Sequence, residues 1–421
     1  MSITNNTNNT NNTNHPKKIY EMTLAEMDEF ISFHLPVKID LKKGFGEVFT
    51  CRSLIEQMLD ELPDSVWSNP HLKWLEPTCG VGNFMLVVYI RLMNGLVTWE
   101  PDATKRSKHV IRNMLYMVEM NAANVDVCVS LFGDRANIKC SDFLLVGGDY
   151  ECFNVILGNL PFQSKSCLGG KSKLYEKITD KCLDYLSLKN GYLLLITPDN
   201  IFSGGSKIYK RLLQTTSVCV INLHKQNQLC FPKIQQYICY FLAEKNKILK
   251  SVRTKIIQND GVDMAVDLQL RPVNPIRNWN FETESLVKKY ISNTKNNIVY
   301  NRGKSINQYF RANDVEWSMN MYLLIYTPTE FLYTPEKELA IGIGIKKIVV
   351  FSISTKFEFK ADFGGEYGVG PNTFYIPIEN MDEGIQWVQF LSGLEYKSLC
   401  LATKTNRQFL KNAFMQYLKI L

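Results

Sequence analysis

From Lys73 to about Lys245 the chain alternates apolar runs of strand length with amphipathic stretches of helix length, and no other feature restricts its fold so tightly. The spacing predicts strands at Lys73–Glu76, Met114–Glu119, Ile138–Ser141, Phe153–Gly158, Tyr192–Thr197, Val218–Leu223 and Gln236–Leu242. Helices are expected between them at Asn83–Leu96, Ala122–Phe132, Leu174–Leu186 and Lys207–Gln214. Strands separated by helices pair in parallel, so the expected fold class is α/β: a doubly wound, Rossmann-like sheet whose last two strands form an antiparallel edge hairpin. Ligands of such sheets bind at the carboxyl ends of the strands. Ahead of the sheet, Leu24 to Phe33 reads as a helix, and Ser53 followed by Glu56 has capping-box spacing for another.

After about residue 250 the alternation stops. Short β-rich runs (Lys346–Ile353, Phe357–Phe359, Thr373–Ile376) mix with Asn/Gly/Pro-rich connections, and helical patterns follow at Asp382–Leu391 and Asn406–Leu418. The expected organisation is a disordered Asn/Thr-rich tail (1–18), a catalytic domain (19–250) and a smaller mixed α+β domain (251–421). No apolar run approaches the roughly 20 residues that span a bilayer, and no apolar segment follows the early Lys17-Lys18 pair as in a signal peptide. A soluble, intracellular protein without membrane contact is expected. Abundant Asn, Lys, Ile and Tyr suit an AT-rich genome, such as a viral one.

The 11 cysteines are scattered without any C-x-x-C pair, which suggests neither a disulfide framework nor a zinc site, but buried thiols of a reducing compartment. The net charge of +7 is unevenly spread: residues 161–250 carry 14 Lys/Arg against 5 Asp/Glu. Such a basic stretch suits a polyanionic substrate, although a solvated lysine-rich face would look the same.

The first sheet strand runs into Glu76-Pro77-Thr78-Cys79-Gly80-Val81-Gly82-Asn83-Phe84, with an apolar helix behind it. Glycines let backbone approach a ligand closely, and the helix start offers N–H groups. The third glycine of a dinucleotide fingerprint is missing, which argues against NAD or FAD. The second strand ends at Glu119-Met120, where a carboxylate suits a ribose diol; the third ends at Asp142-Phe143, where another suits an adenine amino group. In that order the three form a nucleoside site.

The fourth strand, Phe153 to Gly158, stops abruptly at Asn159-Leu160-Pro161-Phe162. An aromatic amine is a poor nucleophile because its lone pair is delocalised into the ring. Two carbonyl acceptors against its N–H₂ group favour the sp³ form and release the lone pair for in-line attack on a sulfonium methyl. The Asn159 side chain and the main-chain carbonyl of Leu160 or Pro161 supply such acceptors, and Phe162 supplies a face for base stacking. Neither a metal nor a strong base is needed.

With these motifs in order, residues 44–245 resemble the S-adenosylmethionine-dependent adenine-N6 DNA methyltransferases of restriction–modification type. The resemblance implies an adenine flipped from duplex DNA, held by Asn159, Leu160, Pro161 and Phe162, and methylated at its exocyclic nitrogen. S-adenosylmethionine would be bound by Phe49 and Thr50, by Glu76, Pro77, Thr78, Gly80, Gly82, Asn83 and Phe84 of the glycine turn, by Glu119, Met120, Asp142 and Phe143 at the next strand ends, and by Asn159. Gly46-Glu47-Val48-Phe49-Thr50 looks like the motif that precedes the glycine turn when the target-recognition domain comes second. Cys230-Phe231-Pro232-Lys233-Ile234-Gln235-Gln236-Tyr237 resembles the later motif walling the target-base pocket, with Lys233 and Gln235 toward nucleic acid. The C-terminal domain, with its glycine-rich run from Asp362 to Asn372, corresponds to the family's target-recognition domain.

Two departures bear on the substrate. The family has Pro where Leu160 stands, and often Pro in place of Cys51. Asn-Leu-Pro-Phe is the form seen in ribosomal-RNA adenine dimethyltransferases, so RNA stays open as a substrate beside DNA. Protein glutamine, and a cofactor- and DNA-binding protein without catalysis, stay open too. Gly169-Gly170-Lys171-Ser172 imitates half of a phosphate loop, but Lys165 occupies the place of its leading glycine. A basic loop is expected there, with Lys165, Lys171 and Lys173 against the target strand's phosphates. A separate cognate endonuclease would fit a restriction–modification setting, and the oligomeric state is not readable.

Overall fold

The computed structural model describes residues 19–34, 50–147, 152–165, 171–203, 206–224, 230–231, 236–245, 253–258, 260–268, 273–274, 279–301, 309–311, 321–327, 329–351, 357–371, 373–403 and 413–419. The N-terminal tail, Gly46 to Phe49, and Lys233 and Gln235 lie outside these residues, as does most of the last expected helix. Residues 413–417, expected as the end of that helix, form 3-10 turns. No helix among the described residues is long and apolar enough to cross a membrane.

Two helices precede the main sheet, α1 (Leu24–His34) and α2 (Arg52–Leu59). The expected capping box at Ser53 does not form. Helix α2 starts two residues earlier, behind Cys51, without a side-chain cap, and Glu56 pairs with Arg91 instead. The reciprocal pair lies at α1, where the Glu26 N–H donates to Thr23 Oγ1 and the Thr23 N–H donates to Glu26 Oε2.

Four short strands then alternate with helices: β1 (Trp74–Glu76), α3 (Asn83–Gly95), α4 (Ala103–His109), β2 (Leu115–Glu119), α5 (Ala122–Phe132), β3 (Asn137–Cys140) and β4 (Val155–Asn159). A small hairpin follows, β5 (Gln163–Lys165) paired antiparallel with β6 (Lys171–Lys173). The sheet resumes through α6 (Leu174–Tyr185), β7 (Gly191–Pro198), α7 (Lys207–Thr215), β8 (Ser217–Asn222), β9 (Ile238–Lys245), β10 (Thr254–Ile257) and β11 (Asp263–Val266). The nine-stranded order is β11-β10-β8-β9-β7-β4-β1-β2-β3. Strands β7, β4, β1, β2 and β3 are mutually parallel, so their carboxyl ends share one edge.

Both faces of the sheet are covered, as expected of doubly wound folds. Period-two alternation sends Trp74, Val155, Leu157 and Leu194 into one core with α2 and α3, and Leu75, Ile156, Leu193 and Leu195 into another with α6 and α7. Helix α3 is buried from Phe84 to Tyr89, which accounts for its apolar sequence on every side.

Two sequence expectations are corrected. Strands β8 and β9 pair antiparallel, but not at the edge: β10 adds parallel to β8, and β11 closes the sheet beyond it. The sheet therefore crosses the expected boundary at residue 250, and both Val266 and Trp279 pack into its second core. The short β10 and β11, each of four residues, carry charged side chains that mask their strand pattern.

The remaining described residues form a mixed α+β part. Helix α8 (Phe281–Tyr290) opens on a capping box of Asn280 and Thr283. Strands β12 (Val299–Asn301), β13 (Tyr322–Ile325), β14 (Phe331–Thr334), β15 (Lys347–Phe351), β16 (Phe359–Asp362), β17 (Gly368–Val369) and β18 (Thr373–Pro377) follow, then α9 (Met381–Ser392) and α10 (Leu394–Ala402). They build a four-stranded sheet β12-β18-β15-β16 and a three-stranded sheet β14-β13-β17. Between β15 and β16, the fully buried Lys347 meets Asp362 at 2.5 Å. The Asp362 carboxylate also accepts the Glu366 and Tyr367 N–H groups, so the pair shapes the glycine-rich turn.

Candidate active site

Strand order reverses at β1: the chain winds outward through β2 and β3, then returns to place β4 on the other side of β1. Sheets of this kind take their ligands at the carboxyl ends of the strands, where the order reverses. The glycine turn and Asn159 meet at this point. The Thr78 hydroxyl donates to the Asn159 main-chain carbonyl at 3.4 Å. The Asn159 amide nitrogen donates to Thr50 Oγ1 at 3.1 Å, and Asn83 at the start of α3 donates to the Thr50 carbonyl at 2.7 Å. Residues 109 positions apart are thus tied into one ring of contacts around the tip of β4.

The turn itself depends on glycine. Gly80 and Gly82 have φ of 54° and 86°, in the left-handed region. A Cβ on Gly82 would stand 3.1 Å from the Phe132 ring and 3.2 Å from Cys128 Sγ, whereas one on Gly80 would meet nothing within 4 Å. Gly82 serves packing, and Gly80 faces open space. From β2, Glu119 shapes the turn: its Oε2 accepts the Gly80 N–H and its Oε1 the Asn121 N–H, both at 2.8 Å.

Glu76, at the end of β1, is 2% exposed, and its Oε2 has no hydrogen-bond partner. Burial, reinforced by the neighbouring Cys128 and Glu119, pushes its carboxyl well above the ordinary carboxylate range. Gly158 on β4 makes room for it, since a Cβ there would lie 3.3 Å from Glu76 Cγ. A buried acid with its pKa raised by desolvation is a marker of a functional site.

The other expected residues take varied positions. Asp142 caps the turn Phe143–Leu145 by accepting the Leu144 N–H at 2.9 Å, and Met120 is exposed. Phe84 and Phe143 are buried in opposite cores, so they shape the site from behind. Leu160 is 2% exposed and packs with Phe143, Ile156 and Leu195, so its side chain belongs to the core and its backbone to the loop. Pro161 and Phe162 are partly exposed, with Phe162 packed against both cores. The segment expected as a basic loop is partly a hairpin, with Lys165 opposite Lys171; Lys173, exposed at its end, pairs with Glu176 at 2.7 Å.

Three contributors were not legible in the sequence. Lys181 on α6 donates to the carbonyls of Phe143 (2.7 Å), Leu144 (2.9 Å) and Val146 (2.5 Å), fixing the turn behind Asp142. The Asp199 N–H, just past β7, donates to the Tyr237 carbonyl, bringing the later motif to the same sheet edge. Cys51 is disulfide-bonded to Cys230, a correction to the expectation of thiols throughout. The bond joins Thr50's neighbour to the start of the later motif across 179 residues, a separation without local signal.

No family model matches the chain. It is 25% identical over 339 residues to an "Uncharacterized adenine-specific methylase" of Mycoplasma pneumoniae, covering 59% of this chain and 79% of that protein. Among solved structures, the type IIL restriction-modification enzyme MmeI in complex with DNA aligns over 92% of this chain and 70% of its own, at 11% identity and TM-score 0.58. The DrdV–DNA complex aligns over 93% of this chain and 59% of its own, also at 11% identity, with TM-score 0.54. The chain spans about half the length of the type I modification subunits it matches. It thus shares a fold with MmeI and DrdV over nine-tenths of its length, and has a distant likeness in sequence to a protein named an adenine-specific methylase.

Proposed function

We propose that this protein transfers a methyl group from S-adenosylmethionine to the exocyclic nitrogen of an adenine turned out of duplex DNA. The observation that carries the reading is the seating of Asn159 against the glycine turn, at the point where strand order reverses. The name of the Mycoplasma pneumoniae relative and the DNA held by MmeI and DrdV support it.

S-adenosylmethionine, when bound, supplies an electrophilic methyl on a positive sulfur. The residues present fit it: the buried, unpartnered Glu76 oxygen suits the ammonium of its amino-acid part, and the open space over Gly80 admits it close to backbone. Glu119 and Asp142, at the next two strand ends, suit its ribose and adenine. On the target side, the Asn159 amide oxygen and the Leu160 or Pro161 carbonyl accept hydrogen bonds from the amino group and raise its nucleophilicity. Phe162 stacks on the extruded base. Leu160 leaves this chemistry intact, because it needs a carbonyl there and the side chain is turned into the core.

Tritium transfer from labelled cofactor, offered DNA, RNA and protein in parallel, tests the reading. Label is expected on DNA, in N6-methyladenine. Label confined to RNA or to protein glutamine overturns the substrate, and cofactor and DNA binding without any label overturns catalysis. Asn159→Ala is expected to lower turnover at least about a hundredfold, with cofactor affinity within a few fold.

A further inference from the structure

We propose that Thr50, expected from the sequence on the cofactor side, is a positioning residue for the target amine, acting through Asn159. The inference rests on the methyl-transfer reading and deepens it. An amide offers a donor at one end and an acceptor at the other. Thr50 Oγ1 takes the nitrogen end of Asn159 at 3.1 Å, which turns the oxygen end, the one that accepts from an amino group, away from Thr50. A hydrogen bond donated by the amide nitrogen also strengthens the oxygen of the same amide as an acceptor.

Thr50 is itself held firmly enough to do this. It is 3% exposed, its carbonyl receives the Asn83 side chain at 2.7 Å, and the next residue, Cys51, is bonded to Cys230. Thr78 holds the main-chain carbonyl of Asn159 from the other side. The side chain and main chain of Asn159 are thus gripped by separate hydroxyls. Losing one is expected to misplace the amide by a fraction of an ångström, which costs rate far more than it costs binding.

Thr50→Val keeps the shape and removes the hydroxyl. On DNA it is expected to lower kcat about tenfold to a hundredfold, while calorimetric affinity for S-adenosylmethionine stays within twofold and the thermal midpoint hardly moves. Since valine could disturb the buried position, Thr50→Ser and Thr50→Ala form a second comparison: both lose the methyl, and they differ in the hydroxyl. Serine is expected to turn over at least about ten times faster than alanine at equal cofactor affinity. Equal kcat for serine and alanine overturns the inference, as does a loss that appears wholly in cofactor affinity, which would make Thr50 a cofactor ligand. If the unaltered protein methylates no DNA, the underlying reading has failed. If it methylates DNA and the serine and alanine variants match, only the role of Thr50 has.

Discussion

At the scale of single residues, the proposed reaction assigns its cofactor half to Glu76 and its target half to Asn159. Glu76 is a buried acid whose carboxyl is raised mainly by desolvation, so its protonated form is favoured in the folded, ligand-free protein. Below the ordinary carboxyl range of about 4.3, the folded and unfolded chains both carry the proton and the burial is tolerated. As pH rises from there toward the raised folded value, the unfolded chain ionises first and stability is lost. Glu76→Gln removes this loss. Its thermal midpoint without ligand is expected to exceed the unaltered protein's by a margin that widens as pH rises above about 4.3 toward the raised folded value. The same variant is expected to bind S-adenosylmethionine about tenfold or more weakly by calorimetry, because a charge-assisted hydrogen bond to its ammonium is lost. A variant that is more stable and binds equally well would remove Glu76 from the cofactor site. Asn159 was readable from sequence because an abrupt Asn-Leu-Pro-Phe ends an apolar strand. Its partner Thr50 was readable only as a neighbour of the cofactor, since a hydrogen bond across 109 residues leaves no periodic trace.

At the scale of elements, the glycine turn places close packing at Gly82 and open space at Gly80 within three residues. Gly82→Ala combines left-handed strain with contacts at 3.1 Å and 3.2 Å to Phe132 and Cys128, and a cost of about 2–4 kcal/mol in stability is expected. Gly80→Ala has open space and carries backbone strain alone, about 1–2 kcal/mol, but its methyl projects where the cofactor is expected. Chemical denaturation with parallel calorimetry distinguishes them: Gly82→Ala should lose more stability, and Gly80→Ala proportionally more affinity. The central strands and helices were legible to within a few residues because Val155 to Leu157 and Leu193 to Leu195 face two cores and must all be apolar. Where a tertiary contact decided, the sequence misled. Ser53 and Glu56 have capping-box spacing, yet Arg91 on α3 takes the glutamate in a salt bridge, and the helix starts without a side-chain cap.

At the scale of the whole molecule, the strand–helix alternation stops near residue 250 while the sheet runs on through β10 and β11. A cut at residue 250 removes β10 and β11, leaves the β8 edge bare, and takes Val266 and Trp279 out of the second core. Trp279 is 1% exposed, and its main chain is tied to Gln258, whose side chain accepts the Trp279 N–H at 3.1 Å. Beyond it, Leu286, Val287 and Tyr290 of α8 face the C-terminal core. We propose that the seam lies in the stretch from Val273 to Trp279, where Val273 already packs into the C-terminal core while Trp279 packs into the second core of the sheet. A bare strand edge and an opened core invite self-association, and removing a buried Trp costs about 3–5 kcal/mol, a large part of a typical domain's stability. A fragment of residues 1–280 is expected to be monodisperse, to unfold cooperatively and to bind S-adenosylmethionine with affinity near that of the full chain. Fragment 1–250 is expected to aggregate. The longer fragment should at the same time bind DNA more weakly than the full chain, if the C-terminal part supplies target recognition as proposed. Light scattering, thermal unfolding and calorimetry on the two fragments decide the matter, and a soluble, cofactor-binding 1–250 fragment would move the seam back to the position where the strand–helix alternation stops.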